Sequence, residues 1–476
     1  TDTGEGVRRA VRRDSPIIAV AGLCVAGGTI ALLAAPFAIF RGLGPALALT
    51  VLVSLTVCLT LTPAIMAILG WRLFAVLPVR GSKMQHGEAL ETLSADELQK
   101  RASRGIRLLT ARGPALAATV GVVVLLSLAA IPIGQARLDL SASAGLPSDD
   151  TVAEGAQLLS DAGVRGISAP TEVFLEQDGV TALRPSLIRL ENLIARQPGV
   201  VRVLGPGDVP VDRNEGVVLA QSGNAARFVV VYNTDPLAAE AIGHVRHLQA
   251  ELPTLALQAG FPDAQLSVTG QTVIASEVAQ LTRDSLQITL LVALAVELVI
   301  LVMYLRALVA PVVLLACSVL SVAAALGLTT LVFQGFLGDQ GLTFYAPFAA
   351  AVLLIALGSD YNVFAVGSIW HEAASRPLAE ALTVAVPRTS RAITIAGVIL
   401  AGTFALVAII PLATFRQFAF AMTVGMLIDT MVVRPVLTPA VLTLLGPAAS
   451  WPSHRITTGE RKMTQAAATR MPGSHG

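Results

Sequence analysis

The chain has 476 residues, of which 54% are hydrophobic and only 14% are charged. This balance is typical of a protein with several membrane-spanning segments, and it excludes an ordinary soluble enzyme. The formal net charge is +1, so the charge balance gives no indication of a nucleic-acid partner.

Eight apolar stretches are long enough to cross about 30 Å of hydrocarbon as helices. They cover residues 16–40, 43–70, 113–135, 285–305, 307–333, 343–369, 392–413 and 417–446. Residues 136–284, between the third and fourth stretches, have ordinary polarity and the length of one domain. We therefore predict two helices in 1–72, a cytoplasmic linker at 73–112, one helix at 113–135, a folded domain at 136–284, five helices in 285–446 and a disordered tail at 447–476.

The 136–284 domain alternates strand and helix patterns. Successive β-α-β units of this length predict a compact α/β sandwich of ferredoxin-like type. The sequence Thr269-Gly270-Gln271-Thr272 then begins a helix that can continue without a break into the fourth span. Strands are predicted at Thr171–Glu176, Gly199–Leu204, Arg227–Tyr232 and Gln265–Val268, and helices at Pro185–Arg196 and Asp235–Glu251.

The distribution of arginine predicts the orientation in the membrane. If the N-terminus is inside, the short outer loops carry only Arg41 and Arg416, whereas the inner segments carry an N-terminal arginine cluster and the basic 72–112 linker. This assignment predicts a multi-pass protein of the cell membrane with both termini in the cytoplasm. Residues 136–284 are then extracytoplasmic.

An internal repeat relates the two ends of the chain. An offset of 375 aligns Ala10–Arg41 with Ala385–Arg416, and 13 of the 32 aligned positions are identical. Repeated helical units are a known plan of transporters, with sites at the interface between the halves. The repeat equivalent of Asp360 would lie about fifteen positions before Thr1 in such a plan. We therefore expect the chain to begin inside the first repeat.

Asp360 lies inside the apolar run Tyr345–Trp370. A carboxylate near the middle of a bilayer costs at least about 2.5–3.5 kcal/mol, so an intramembrane acid indicates a function. The usual functions are coupling to protons or ions and pairing across a helix bundle. The alternative is a short segment from which the Asp360 side chain reaches the head groups. The apolar sequence on both sides of Asp360 favours a functional residue over this alternative.

Three further charged residues lie in predicted spans. Asp429 and Arg434 are five apart, about 140° round an α-helix, so a direct pair needs the reach of the arginine side chain. An electrostatic tie to the surroundings of Asp360 and a purely structural pairing both fit the sequence. Glu297 interrupts the fourth span without a motif, which favours a groove-facing or snorkelling residue over a coupling role.

Signatures of other chemistry are absent from the sequence. His371-Glu372 is followed by Ser375 where a zinc helix requires its second histidine. No lysine follows a glycine-rich strand turn, and no Gly-x-Ser-x-Gly elbow occurs. The three cysteines lie in apolar runs and predict neither a disulfide nor a metal site. We therefore predict no enzymatic activity, no cofactor and no bound metal.

The string Gly358-Ser359-Asp360-Tyr361-Asn362 resembles the signature of the MMPL (mycobacterial membrane protein, large) group of the RND permease superfamily. Leu305–Pro311 and Asp429–Arg434 also resemble motifs of this group. The resemblance covers essentially the whole chain, as spans five to twelve of a twelve-span permease with its second outer domain. It implies an RND-type α-helical polytopic bundle with an extracytoplasmic porter domain of ferredoxin-like fold.

The resemblance also implies a function. Proteins of this group use the proton-motive force to move lipids or other hydrophobic molecules outward. Asp360 and Tyr361 would form half of a proton relay, and the other half would lie in the missing N-terminal half of the permease. The implied partners are protons, a hydrophobic substrate, that missing half or a second copy of the chain. Asn362, Asp429, Arg434 and Glu297 are candidates for a supporting role beside the relay, with the alternatives given above for the last three still open.

Two other interpretations fit the sequence. The protein could be a non-transport relative of the same fold, such as a sterol-sensing or protein-translocation accessory. The chain could also be an inactive fragment of a permease. The adjacent Asp360 and Tyr361 favour transport over sensing, because a sensor does not need a titrating pair.

Overall fold

The structure, a computed structural model, describes residues 3–69, 106, 109–141, 151–208, 216–373 and 376–453. This part of the chain contains eight helical segments that are long and apolar enough to cross a membrane, which confirms the eight predicted spans. The α-helices are α1 (Thr3–Ile30), α2 (Ala38–Leu69), α3 (Arg112–Ala130), α4 (Thr151–Asp161), α5 (Arg184–Ala195), α6 (Ala239–Ala259), α7 (Gln271–Leu305), α8 (Val309–Thr330), α9 (Tyr345–Ala373), α10 (Leu378–Val407), α11 (Ala413–Ile428) and α12 (Thr438–Leu445).

Helix α9 lies at the centre of the bundle, where it contacts α1, α7, α8, α10 and α11. Its alanines at 350, 351 and 356 are fully buried. Small residues let helices approach closely in a membrane, where lipid competes with protein for apolar contacts. This packing holds the segment 358–362 of α9 in the interior of the bundle.

Helix α7 joins the membrane region to the folded domain without a break, as predicted. Its 35 residues correspond to a length of about 52 Å, well beyond the hydrocarbon thickness. The helix begins after Gly270, which has φ of 128° and approaches the carbonyl of Pro170 too closely for a side chain. It ends at Arg306, which adopts the left-handed conformation.

The folded domain contains an antiparallel sheet with the strand order β3-β4-β2-β5. Together with α5 and α6, which follow β2 and β4, the elements have the β-α-β-β-α-β order of a split β-α-β fold. Fully buried apolar side chains from the sheet and from the two helices form its core, including Leu175, Leu190 and Leu248. The strands of this sheet are β2 (Thr171–Glu176), β3 (Val200–Leu204), β4 (Ala225–Tyr232) and β5 (Gln265–Thr269).

A second, two-stranded sheet attaches the beginning of this domain to the bundle. Strand β1 (Leu138–Asp139) follows α3 and pairs in parallel with β6 (Leu342–Thr343), which directly precedes α9. The backbone N–H of Thr343 also donates to Oε1 of Gln417 on α11 at 2.8 Å. The domain is therefore tied to the membrane helices at both its entry and its exit.

The internal repeat is visible in the packing of two glycines. A side chain at Gly22 of α1 would collide with Leu55 of α2, and one at Gly397 of α10 would collide with Thr430 of the last span. Both members of the second pair lie 375 positions after those of the first. The same helix-to-helix contact thus occurs in both repeats.

At the opposite end of the bundle, the structure contradicts part of the predicted disordered tail. Residues Gly446–Ser450 form a 3₁₀ helix, and Ala449 and Ser450 are fully buried. The N–H of Leu308 donates to the carbonyl of Trp451 at 2.8 Å. The predicted disorder from 447 is therefore wrong for residues 447–453, because they pack against the turn before α8. Residues 454–476 and most of the predicted 73–112 linker lie outside the described residues.

Candidate functional site

Arg434 and Asp429 form a buried ion pair in the last span. Nε and Nη2 of Arg434 donate to Oδ2 of Asp429 at 3.0 and 2.8 Å. Both side chains are nearly excluded from solvent. The segment Asp429–Leu437 is a π-helix, in which hydrogen bonds join residues five apart. The two residues therefore lie on the same side of the backbone, and the separation of 140° expected for an α-helix does not apply.

The same guanidinium connects the last span to α9. Nη1 of Arg434 donates to Oδ1 of Asn362 at 2.6 Å, and Nη2 donates to the carbonyl of Gly358. Asn362 in turn donates to the hydroxyl of Ser318 on α8 at 3.3 Å. A guanidinium has five donors in a planar fork, which suits it to this bridging position. One arginine thus organises three helices in the interior of the bundle.

Asp360 and Tyr361 lie beside this network, on the same helix as its acceptors. The Tyr361 ring lies next to Arg434, with Cζ of the arginine 5.7 Å from the ring centroid. Asp360 is close enough to interact with the charges of Arg434 and Asp429. Its Oδ1 atom is buried and accepts no hydrogen bond from the residues that the structure describes. A buried carboxylate oxygen without a donor is unfavourable when ionised, so this group is suited to binding and releasing a proton.

Glu297 lies on α7, facing α1 and α9. Its side chain is fully buried. A side chain added at Gly28 of α1 would lie 3.5 Å from Oε1 of Glu297 and 3.1 Å from Cβ of Ala356 on α9. Cys24, one turn before Gly28, interacts with the charges of both Glu297 and Asp360. The structure therefore places both carboxylates within electrostatic range of α1, and it excludes a Glu297 that snorkels to the surface.

One member of the network carries no signal in the sequence, because Ser318 lies in an apolar helix without a surrounding motif. Gly358 belongs to the signature string, but it contributes only its backbone carbonyl. No group of three or more histidine, cysteine or acidic side chains suited to a metal occurs within the described ranges.

The eight long apolar helices, packed as one polytopic bundle, define the class of the chain as a helical membrane protein. The sequence profile of the MMPL family matches residues 1–87 and 177–475. The chain therefore belongs to the MMPL family.

Several characterised or curated proteins resemble the chain. A putative membrane protein of Streptomyces coelicolor is 30% identical over 95% of this chain and 51% of its own length. The apo-petrobactin exporter of Bacillus anthracis is 28% identical over 94% of this chain and 59% of its own length. The sulfolipid-1 exporter MmpL8 of Mycobacterium tuberculosis is 29% identical over 52% of this chain and 23% of its own length. The chain thus spans about half to three fifths of the first two relatives.

Among solved structures, SecDF, a translocon-associated membrane protein from Thermus thermophilus, is similar over 93% of this chain and 50% of that chain. The sequence identity is 14% and the TM-score is 0.48.

Proposed function

We propose that the complete protein uses the proton-motive force to export lipids or other hydrophobic molecules across the cell membrane. The observation that carries this proposal is the buried Oδ1 of Asp360, which lacks a hydrogen-bond donor in the described residues and lies beside the Asp429–Arg434 pair. The names of two relatives, an apo-petrobactin exporter and a sulfolipid-1 exporter, support an export function.

In this proposal Asp360 carries the proton and the surrounding polar groups hold it in place. Protonation neutralises Asp360 and changes its interaction with Arg434, which shifts the balance between two arrangements of the helices. Tyr361 passes the proton, whereas Asn362, Asp429 and Arg434 keep the arrangement of α8, α9 and the last span. Glu297 provides a second buried carboxylate, which faces α1 and α9.

The proposal includes a second half-site outside this chain. The repeat offset predicts an acidic residue equivalent to Asp360 in a preceding half of the permease, facing α9 across the bundle. A second copy of the chain could supply such a partner in its absence. The lengths of the relatives support a longer protein, because the chain spans only about half to three fifths of them.

The test is lipid export by cells that make the complete protein. After labelling with radioactive acetate, we expect the cells to place at least one lipid class on their surface that cells without the protein retain inside. A proton uncoupler should abolish this difference at unchanged ATP content, since the energy comes from the gradient. Export that persists under the uncoupler would contradict the proposal.

The proposed topology makes a second prediction. The domain of β2–β5 should lie outside the cell, and the turn between α9 and α10, together with the first turn of α10, should lie inside. In a variant with its native cysteines replaced by serine, a cysteine at the exposed Gln258 should react with a membrane-impermeant maleimide in intact cells. A cysteine at the exposed Glu380 should react only after lysis. The reverse pattern would overturn the orientation.

A further inference from the structure

A row of buried polar side chains, the α7 stripe, runs along one side of α7. It consists of Thr282, Ser285, Thr289 and Glu297, each of which is no more than 2% exposed. Their spacing places them on one side of an α-helix, and the buried Ala293 lies on the same side between the last two. The α7 stripe covers about 22 Å of helix, from the end of the bundle near the folded domain to Glu297.

The α7 stripe faces protein rather than lipid. Helix α7 contacts α1 and α9, and the N–H of Phe37, after α1, donates to Oγ of Ser285 at 3.1 Å. The Thr289 hydroxyl is buried and has no hydrogen-bond partner among the described residues. Because a hydroxyl both donates and accepts, Thr289 is able to take up one proton while it releases another. A polar group buried in this way indicates a role beyond packing.

The domain end of the α7 stripe opens into a cavity. This cavity has a volume of about 390 Å³ and lies where the spans meet the folded domain. Thr282 lines it together with Arg283 and Gln287, whose side chains are exposed. Exposed polar side chains at the mouth of a cavity admit water. Protons from the aqueous phase therefore reach the first hydroxyl of the α7 stripe.

The other end of the α7 stripe lies between the domain and Asp360. Oε1 of Glu297 and Cβ of Ala356 both approach Gly28 of α1, at 3.5 and 3.1 Å from the position that a Cβ atom would take there. The Glu297 carboxyl is therefore level with Ala356. Asp360 follows Ala356 by four residues, or about 6 Å along α9. Glu297 thus lies about one helical turn nearer to the domain than Asp360.

Few titratable groups surround Glu297. On α1, the buried Cys24 interacts with the charges of Glu297 and Asp360. On α9, Asp360 is the acidic residue nearest in level to Glu297. Helix α8, which also contacts α7, contains no charged residue. Asp360 is therefore the acidic group of these helices to which Glu297 is best placed to pass a proton.

We propose that Glu297 is a second proton carrier, which takes a proton from the outer aqueous phase along the α7 stripe and passes it to Asp360. The proton leaves the carboxyl group of Glu297 and binds the carboxylate of Asp360. Glu297 is then ionised, and a proton from the cavity restores it through the three hydroxyls. Chains of carboxyl groups form the proton relays of many pumps. This inference rests on the proposed export function, because it assigns the side from which Asp360 is protonated.

The test measures protonation of Glu297 in right-side-out membrane vesicles that contain the complete protein. Dicyclohexylcarbodiimide is an apolar reagent that modifies buried carboxyl groups in their protonated form, and peptide mass spectrometry locates the product. At constant inner pH, lowering the outer pH by one unit should increase modification of Glu297 by up to about tenfold, the change in protonated fraction for one unit. Modification that follows only the inner pH, or no modification at any pH, would overturn the proposal.

A threonine variant tests the route. Thr289→Val keeps the shape of the side chain and removes its hydroxyl. Under a pH difference, the protonation of Glu297 follows the side with which it exchanges protons faster. In Thr289→Val protein, modification should therefore depend less on the outer pH and more on the inner pH. Thr403→Val is the matched control, since Thr403 is exposed on α10 and should leave the response unchanged. A wild-type response of Thr289→Val protein would exclude this route.

Export separates a proton carrier from a structural residue. Glu297→Gln keeps the shape of the side chain but cannot carry a proton, so export should fall by about a hundredfold at normal abundance, the lower end of what a positioned proton-transfer group contributes. Glu297→Asp should restore part of the export. Glu277→Gln should leave export unchanged, because Glu277 is exposed on the same helix. Wild-type export by Glu297→Gln protein would contradict the assigned role.

This inference and the export proposal fail separately. The modification assay needs no export, so Glu297 in Asp360→Asn protein should still respond to the outer pH. Proton-coupled export together with a Glu297 that ignores the outer pH would contradict this inference alone. Export that persists under the uncoupler, together with a Glu297 that follows the outer pH, would contradict the export proposal alone.

Discussion

Replacing Asp360 with asparagine should reduce proton-coupled export to the level of cells without the protein. Asparagine has nearly the same shape as aspartate but cannot bind and release a proton near neutral pH. Because Oδ1 of Asp360 receives no hydrogen bond from the described residues, the amide should not disrupt a network that holds the helices together. We therefore expect near-normal abundance and membrane insertion together with the loss of export.

The measurement is surface lipid export in the acetate-labelling assay, with immunoblots of the membrane fraction for abundance. Asp178→Asn is the matched control, since Asp178 is exposed on the folded domain and should tolerate the change. Asp360→Glu should retain partial export, because it keeps a titratable group. Wild-type export by Asp360→Asn protein would eliminate the relay.

Replacing Arg434 with methionine should strongly destabilise the bundle. The substitution preserves most of the side-chain volume but leaves Asp429 buried without its partner, and Asn362 and the Gly358 carbonyl lose a donor. Breaking a buried ion pair by removing one member typically costs about 3–5 kcal/mol. We expect a loss of this size in the free energy of unfolding, measured by chemical denaturation of the purified protein in detergent.

A double variant separates the lost pair from a general packing defect. Asp429→Asn combined with Arg434→Met removes both charges, so it should be destabilised less than Arg434→Met alone. If the free energy of unfolding falls by the same amount in both variants, the loss of the ion pair is not the source of the destabilisation. A single variant within about 0.5 kcal/mol of wild type would show that the network contributes little.

Most of the architecture follows from local patterns in the sequence. Apolar runs of full span length predict the membrane helices, because a bilayer leaves few other structures. Strand β2 was predicted at Thr171–Glu176 and is found with the same bounds. The period-two pattern of the strand is the reason, because it directs Val173 and Leu175 into the core and leaves the residue between them only partly buried.

The π-helix in the last span could not be predicted in the same way. Hydrophobic periodicity assumes 3.6 residues per turn, so it assigns Asp429 and Arg434 to different faces. Pro435 lies within this segment and has no N–H, so it cannot take part in a regular α-helical ladder. A proline adjacent to a buried arginine was the available signal, but it does not specify the extra residue per turn.

The residues of the candidate site were predictable where a charged residue lies within an apolar span. Asp360, Glu297, Asp429 and Arg434 all satisfy this criterion, and the structure brings them towards one region of the bundle. Their partners depend on the packing between helices. Ser318 meets Asn362 across two helices 44 positions apart in the chain, and no local pattern contains that relation.

The two attachments of the folded domain have a mechanical consequence. Asp360 lies fifteen residues after Tyr345, about 22 Å along α9, and the start of this helix adjoins β6. An axial displacement of α9 would therefore pull on β6 and, through its ladder, on β1. At the other attachment, the unbroken α7 acts as a stiff rod from Glu297 to Gly270. A shift of the helices around the carboxylates would therefore be transmitted to the folded domain by two routes. One is the β1–β6 pair, and the other is the continuous helix α7.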